Sequence, residues 1–183
     1  LNFSTKWDGY FAKTEGLLPW ENGRPASRLQ AFLEDQLYAT KFLTMKRAVD
    51  VGCGSGYNTQ LLSKHFSAVV GVDISKYALT KARLNLYHAF CVEDAGTQAT
   101  TNTRKIPSNI EFYMGNLFDE SSMAKLKNSF DFLFDIQVFH ALRNLGECRL
   151  VRAFANLLVV GGYCMVICGD AGDAIAGEEK RIG

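Results

Sequence analysis

No charge of one sign prevails in this chain: 20 Lys and Arg stand against 19 Asp and Glu, a formal net charge of +1. That balance gives no reason to expect a nucleic-acid or anionic-membrane partner. There is no apolar run near the ~20 residues that cross a bilayer, and no basic-then-apolar opening of the kind a secretory signal carries. Cysteine is sparse and irregular. Cys53, Cys91, Cys148, Cys164 and Cys168 make five, an odd number, with no CxxC spacing. This argues against a disulfide framework and a structural zinc site, and a reducing, cytoplasmic setting is expected. Only three prolines punctuate the chain, Pro19, Pro25 and Pro107. What remains is an ordinary globular composition, 48% hydrophobic and 21% charged over 183 residues, sufficient for one domain with its own core. The start on Leu1 rather than methionine leads us to expect a piece of a longer chain.

Residues 1–24 are rich in aromatics and glycine without clear periodicity and read as an irregular arm. Residues 25–168 read as the core, and residues 169–183 as an irregular tail. Pro25 suits the first turn of a helix, and Leu29, Phe32, Leu33, Leu37 and Phe42 extend that helix to about Leu43. Short apolar strands then alternate with helices. Strands are expected at 47–52, 68–73, 109–114, 130–135 and 163–168, and helices at 57–65, 75–90, 121–127 and 147–159. Ser75 is placed to cap the second of these helices, with Tyr77, Leu79, Ala82, Leu86 and Ala89 on its buried side. Residues 93–108 are polar and Thr-rich, and read as a long surface loop. The alternation predicts a doubly wound α/β fold, with a mostly parallel sheet and helices on both faces.

The strongest local signal is Val49-Asp-Val-Gly-Cys-Gly-Ser-Gly56, a strand running into a glycine-rich turn and a helix. Glycines let the backbone approach a ligand closely, and a helix start offers unpaired N–H groups. The spacing is G-x-G-x-G, and Tyr57 stands where a nicotinamide-binding turn wants its last glycine. Asp50, two positions before the first glycine, suits a ligand bearing a positive amino group better than a pyrophosphate. The second signal is Asp73, which ends the second strand some seventeen residues past the turn. A carboxylate there is placed to accept from two ribose hydroxyls, or alternatively to cap the next helix. Gly115-Asn-Leu-Phe-Asp119 follows the third strand, and Phe130-Asp-Phe-Leu-Phe-Asp-Ile-Gln-Val-Phe-His140 carries the fourth.

Together these residues resemble class I S-adenosylmethionine-dependent methyltransferases, which share a Rossmann-like fold. The resemblance implies that Gly52, Gly54 and Gly56 pass close to the methionine part of the cofactor, with Asp50 organising its amino group. It implies further that Asp73 holds the ribose and that Ile74 presses on the adenine. Asn116, where the family usually has Asp, would meet the adenine amino group through its amide oxygen, and the other reading is a turn asparagine. Leu117 and Asp135 complete the implied cofactor contacts. S-adenosyl-L-methionine is then the cofactor and S-adenosyl-L-homocysteine its product. Val160 replaces the proline usual before the family's Gly-Gly turn.

The arm segment Pro19-Trp-Glu-Asn-Gly-Arg-Pro25 is similar to one in the thiopurine and thiol (halide, thiocyanate) S-methyltransferase group. It implies a lid in which Trp20 offers a cation–π contact to the sulfonium, or else anchors the arm in the core. Arg24 attracts an anionic acceptor or makes a surface ion pair. His140 is the histidine nearest the expected reaction point, as a base or as a core residue. No metal is implied. The fourth strand carries neither the Pro-Pro-Tyr of amino-methylating DNA enzymes nor a Pro-Cys nucleophile, so a small-molecule acceptor is expected and not a nucleic acid. The expected function is methyl transfer to a small soft nucleophile such as a thiol, thiopurine, thiocyanate or halide. The alternatives are a small-molecule O- or N-methyltransferase and a catalytically silent cofactor-binding protein. Members of the family end in a strand hairpin after the fifth strand, and residues 169–183 hold no strand-like run, so that hairpin is expected to be missing from the sequence.

Overall fold

A computed structural model describes residues 3–14, 16–35, 44–91 and 106–168. Five apolar segments form one sheet: β1 (Arg47–Val51), β2 (Ala68–Asp73), β3 (Ile110–Met114), β4 (Phe130–Ile136) and β5 (Leu158–Ile167). Their spatial order is β3-β2-β1-β4-β5, and every neighbouring pair is parallel. Val49 of β1 aligns with Val70 of β2 and Leu133 of β4, so near-continuous apolar runs meet at the centre. Such runs belong to strands buried on both faces. Between β1 and β4 the winding reverses direction, and a sheet of this kind opens a crevice there beyond the strands' carboxyl ends.

Side chains alternate across the sheet and feed two cores. Val49, Val51 and Leu133 join Met123, Leu150, Phe154 and Leu157 on one face. Those last residues come from α5 (Glu120–Met123) and α7 (Glu147–Leu157). Ala48, Phe132 and Phe134 meet Leu29, Leu33, Leu61, Leu62 and Phe66 on the other, beneath α2 (Ser27–Glu34) and α3 (Tyr57–Leu62). After β2 comes α4 (Lys76–Cys91). Ser75 caps it as expected: the Ala78 N–H donates to Ser75 Oγ at 3.2 Å. The buried side of α4 is Ala78, Leu79, Ala82 and Leu86, whereas Tyr77 and Ala89 are exposed. The expected stripe was therefore one residue out at its start.

Other expectations need correction. The arm is not irregular, because α1 occupies Phe3–Lys13. Its inner face carries Phe11 together with half-buried Trp7 and Asp8, so a polar residue interrupts the apolar stripe that would have revealed it. Phe11 and Leu18 pack on Ala78 of α4. α2 stops at Glu34, where Asp35 turns extended at φ −71°, ψ 121°; residues 36–43, given above to the same helix, lie outside the described residues. A short helix not foreseen, α6 (Val138–Leu142), follows β4 directly. β5 starts at Leu158, well before the expected 163, and runs through Gly161-Gly162 with a register shift between its pairings to Phe130 and Phe132. The Gly-Gly pair thus bends a strand and does not precede one. Most of the expected 93–108 loop and all of the 169–183 tail lie outside the described residues. Among those described, no helix is long and apolar enough to cross a membrane.

Candidate functional site

A cavity of about 360 Å³ opens at the carboxyl ends of β1, β2, β3 and β4. Its floor is the glycine turn after β1, with Gly52, Cys53, Gly54 and Ser55. One wall is Asp73 at the end of β2 with Ile74 after it, and another is Gly115 to Phe118 after β3. Ile136 at the end of β4, with Gln137 and Val138 after it, closes the far side, and Trp7, Phe11, Trp20 and Glu21 of the arm form the roof. A cavity of this size and partly apolar lining suits a nucleoside-sized ligand.

The arm is tied down by side chains. Ser75 Oγ donates to Asp8 Oδ1 at 2.7 Å, and Lys81 Nζ donates to the carbonyls of Thr14 and Gly16 at 2.6 and 3.1 Å. The Ala26 N–H donates to Asn58 Oδ1 at 2.8 Å. Trp20 stands edge-on to Tyr10 and to Trp7, with ring centroids 5.3 and 5.9 Å away. At 48% exposed it is a wall of the cavity and not a core anchor. Arg24 also lines the cavity, and its guanidinium has no hydrogen-bond or ion-pair partner among the described residues.

Of the residues singled out from sequence, Trp20, Arg24, Gly52, Gly54, Asp73, Ile74, Asn116 and Leu117 all line this one cavity. Asp73 is buried there. Its Oδ2 accepts the Gly54 N–H at 3.0 Å and its Oδ1 accepts the Ser75 N–H at 2.8 Å. Those bonds orient the carboxylate and leave lone pairs toward the cavity. Asn116 holds an Asx turn, its Oδ1 accepting the Phe118 N–H at 3.0 Å, and also lines the wall. The turn reading of that residue is thus seen directly, with the side chain also at the cavity wall.

Four others do not line the cavity. Asp50 lies beneath the turn, 1% exposed, with Oδ2 accepting from Thr59 Oγ1 at 2.5 Å and Oδ1 without a partner among the described residues. Gly56, at φ +80°, makes room for α3 against α4: a Cβ there would sit 3.0 Å from Ala82 Cβ. Asp135 is fully buried and accepts the N–H groups of Val138 and Phe139, each at 3.0 Å, so it caps α6. His140 lies on α6 with Nδ1 buried and without a partner among the described residues. Residues that the sequence reading passed over include Glu21, Tyr57, Asn58, Phe118 and Gln137. Glu21 was visible as the acidic residue inside the arm motif, whereas Gln137 gave no signal until the chain folded.

Asp50, Asp73 and Asp135 cluster at the ends of three adjacent strands. Burial is the largest cause raising each, Asp50 to about 7 and the other two to about 6. Asp73 and Asp135 push Asp50 up further, and Asp8 does so for Asp73. In the unfolded chain such groups titrate near ~3.9. Between about pH 4 and pH 7 the folded state therefore holds more protons, so stability falls as pH rises through that window. Thermal unfolding is expected at a higher temperature at pH 5 than at pH 7.5, and the reverse order in a calorimetric scan contradicts the assignment.

The donor set discriminates between cofactor types. Consecutive amides of the turn, Gly54 and Ser55, are occupied by the carboxylates of Asp73 and Glu21. A pyrophosphate needs those amides free, so the turn does not fit a dinucleotide. A ligand with positive charge and neighbouring hydroxyls fits it. Comparison with known proteins agrees. Residues 49–166, well over half of the chain, match the family model described as a methyltransferase domain. Thiocyanate methyltransferase 1 of Arabidopsis thaliana is 35% identical over 94 residues, which is 48% of this chain and 39% of the relative. Its namesake from Brassica oleracea is 38% identical over 68 residues, 37% and 28% respectively. The match thus spans less than half the length of these curated relatives. Among solved structures, a SAM-dependent methyltransferase from Anabaena variabilis superposes with TM-score 0.61 at 21% identity, over 94% of this chain and 64% of that one. One described under the conversion of a disulfide bond into a thioacetal group during echinomycin biosynthesis gives 0.66 at 20% identity, over 95% and 62%. These last two share the fold. With the family pattern running from the first strand to the fifth, the chain belongs to the class I S-adenosylmethionine-dependent methyltransferases.

Proposed function

We propose that the cavity takes S-adenosylmethionine and that the protein moves its methyl group to a small soft nucleophile, of which a thiol or thiocyanate is the best candidate. One observation carries the reading: Asp73, held by two backbone N–H groups, faces a cavity whose roof is the aromatic arm. When bound, the cofactor supplies an activated methyl group on a positively charged sulfur. Asp73 accepts from vicinal hydroxyls, Ile74 and Leu117 give apolar walls to a heteroaromatic ring, and Asn116 meets its edge. Asp50 and Gly56 act only through the turn they support, and Asp135 through α6, whose first residue Val138 lines the acceptor side. The arm excludes water, and Trp7 and Trp20 offer electron-rich faces to positive charge.

The acceptor side is Phe118, Ile136, Val138 and Leu142, with Arg24 as the cavity's one cationic side chain among the described residues. An apolar subsite with a single cation favours a polarisable anion or thiolate. The thiocyanate methyltransferase relatives support the same acceptor class. No base is assigned. A thiol with pKa ~8.5 is partly ionised near neutrality, so positioning alone carries much of the catalysis. His140 lies on α6 and does not line the cavity.

A radiolabelled methyl-transfer screen over thiols, thiocyanate, iodide, phenols and amines tests the acceptor. Turnover on phenols or amines alone replaces the sulfur reading with an O- or N-directed one, and tight binding without turnover indicates a silent cofactor-binding protein. For the donor, Asp73→Ala is expected to weaken S-adenosylmethionine binding by about 1–3 kcal/mol through lost charge-assisted bonds. Unchanged affinity by calorimetry in a folded variant removes Asp73 from the site.

A further inference from the structure

Glu21 belongs to the arm, yet its carboxylate reaches the glycine turn. Oε1 accepts the Ser55 N–H at 3.3 Å, and Oε2 accepts the Leu18 N–H at 3.1 Å. The Glu21 N–H in turn donates to the Leu18 carbonyl at 2.8 Å. Residues 18–21 therefore form a closed turn that aims one carboxylate at the cofactor loop. The carboxylate lies against the turn at Gly54, where a Cβ would stand in ordinary contact with Oε1 at 3.5 Å. Glu21 is half-buried and lines the cavity. Its charge is felt next door, where it adds to burial in raising the Tyr57 hydroxyl.

The consequence is a choice of ligand charge. A loop left open would present Ser55 N–H to a phosphate or carboxylate. Glu21 takes that donor and puts a negative charge in its place, beside Asp73. The partly apolar walls around it screen that charge less than bulk water would.

We propose that Glu21 is a specificity-determining residue that selects a cationic ligand for this cavity, by clamping the arm onto the glycine turn and setting its carboxylate beside the bound tail of the methyl donor. This rests on the reading of the cavity as an S-adenosylmethionine site. Glu21 needs no contact with the transferred methyl group, so its effect belongs in binding before it belongs in turnover.

The test is calorimetry on the full chain with three probes of falling positive charge. S-adenosylmethionine carries a sulfonium and an ammonium, S-adenosylhomocysteine keeps the ammonium alone, and 5′-methylthioadenosine carries neither. Glu21→Gln removes the charge and keeps one acceptor oxygen, enough for the Ser55 N–H but no longer for the Leu18 N–H as well. It is expected to weaken S-adenosylmethionine about tenfold, S-adenosylhomocysteine less, and 5′-methylthioadenosine less than about twofold. Glu21→Asp, which keeps the charge, is expected to preserve the wild-type ranking of the three. An equal loss for all three probes in Glu21→Gln means a merely structural clamp, and no loss for any means no role; either overturns the proposal. If Glu21→Gln does not fold, Glu21→Asp decides: loss of the wild-type ranking overturns the proposal and its retention supports it. Failure of the wild-type chain to bind S-adenosylmethionine overturns the cavity assignment itself and this proposal with it. Normal wild-type binding with losses in Glu21→Gln that do not follow the positive charge of the probe overturns Glu21 alone.

Discussion

Replacing Gly52 with alanine is expected to cost about 2–4 kcal/mol of folding stability, from left-handed backbone strain and overpacking together, and to abolish measurable donor binding. Gly52 sits at φ +64°, and a Cβ there would come within 2.1 Å of Val138 Cγ2. Val138 has no easy retreat. Its N–H and that of Phe139 are both held by Asp135, whose carboxylate is fully buried at the end of β4. With Val138 Cβ at 3.6 Å, relieving the clash means forcing this stiff β-branched side chain into another rotamer, moving the start of α6 and with it Asp135, or moving the glycine turn away from Asp73. Each route distorts a wall of the cavity. Denaturant unfolding and calorimetry with S-adenosylmethionine measure the two effects. A variant within about 0.5 kcal/mol of wild type with unchanged affinity would show that the turn and α6 are far less tightly coupled than the geometry implies.

Gly52 also shows what sequence reading could reach and where it stopped. The glycines flagged a close approach to the backbone, and at Gly52 there is one. The approaching group is Val138 from α6, a helix that no periodicity announced because it is five residues long and follows β4 without a loop. Gly56 was legible as a required glycine for the wrong neighbour, since Ala82 of α4 fills the space near it. Strands β1, β2 and β4 were plain because buried parallel strands carry near-continuous apolar runs, and the edge strand β3 showed instead by its alternation around Glu111. β5 was caught only in its second half, because Gly161-Gly162 looks like a turn until pairing with β4 pulls it into the sheet. The arm was hardest. Asp8 faces inward to meet Ser75, so the inner side of α1 is not uniformly apolar. Polar groups satisfied by tertiary partners erase the pattern that local reading depends on.

Those same polar ties decide the second large effect, deletion of residues 1–23. The sheet, its two cores and the glycine turn lie outside the deleted segment, so a folded core with a near-native far-ultraviolet spectrum is expected. Phe11 and Leu18 leave with the arm and uncover Ala78 on α4, which should lower the unfolding midpoint without abolishing it. Transfer is expected to fall on the order of 100-fold or more, the scale associated with losing the alignment of a donor and an acceptor. Donor affinity should fall less. Asp73, Ile74, Asn116 and Leu117 all stay, and the deletion removes Trp7, Trp20 and Glu21 from one side of the cavity only. The gap between the two losses is the diagnostic. A roof that only added binding surface would lower affinity and leave turnover at saturating donor intact. A roof that excludes water and sets the geometry of attack lowers turnover even when the donor is saturating. Single-turnover transfer to thiocyanate and to a neutral thiol, each with donor above its dissociation constant, separates these cases. Wild-type turnover in the deleted chain would end the lid argument and with it most of the reason to prefer a sulfur acceptor. The glycine turn and Asp73 would stand, because none of their bonds to each other runs through the arm.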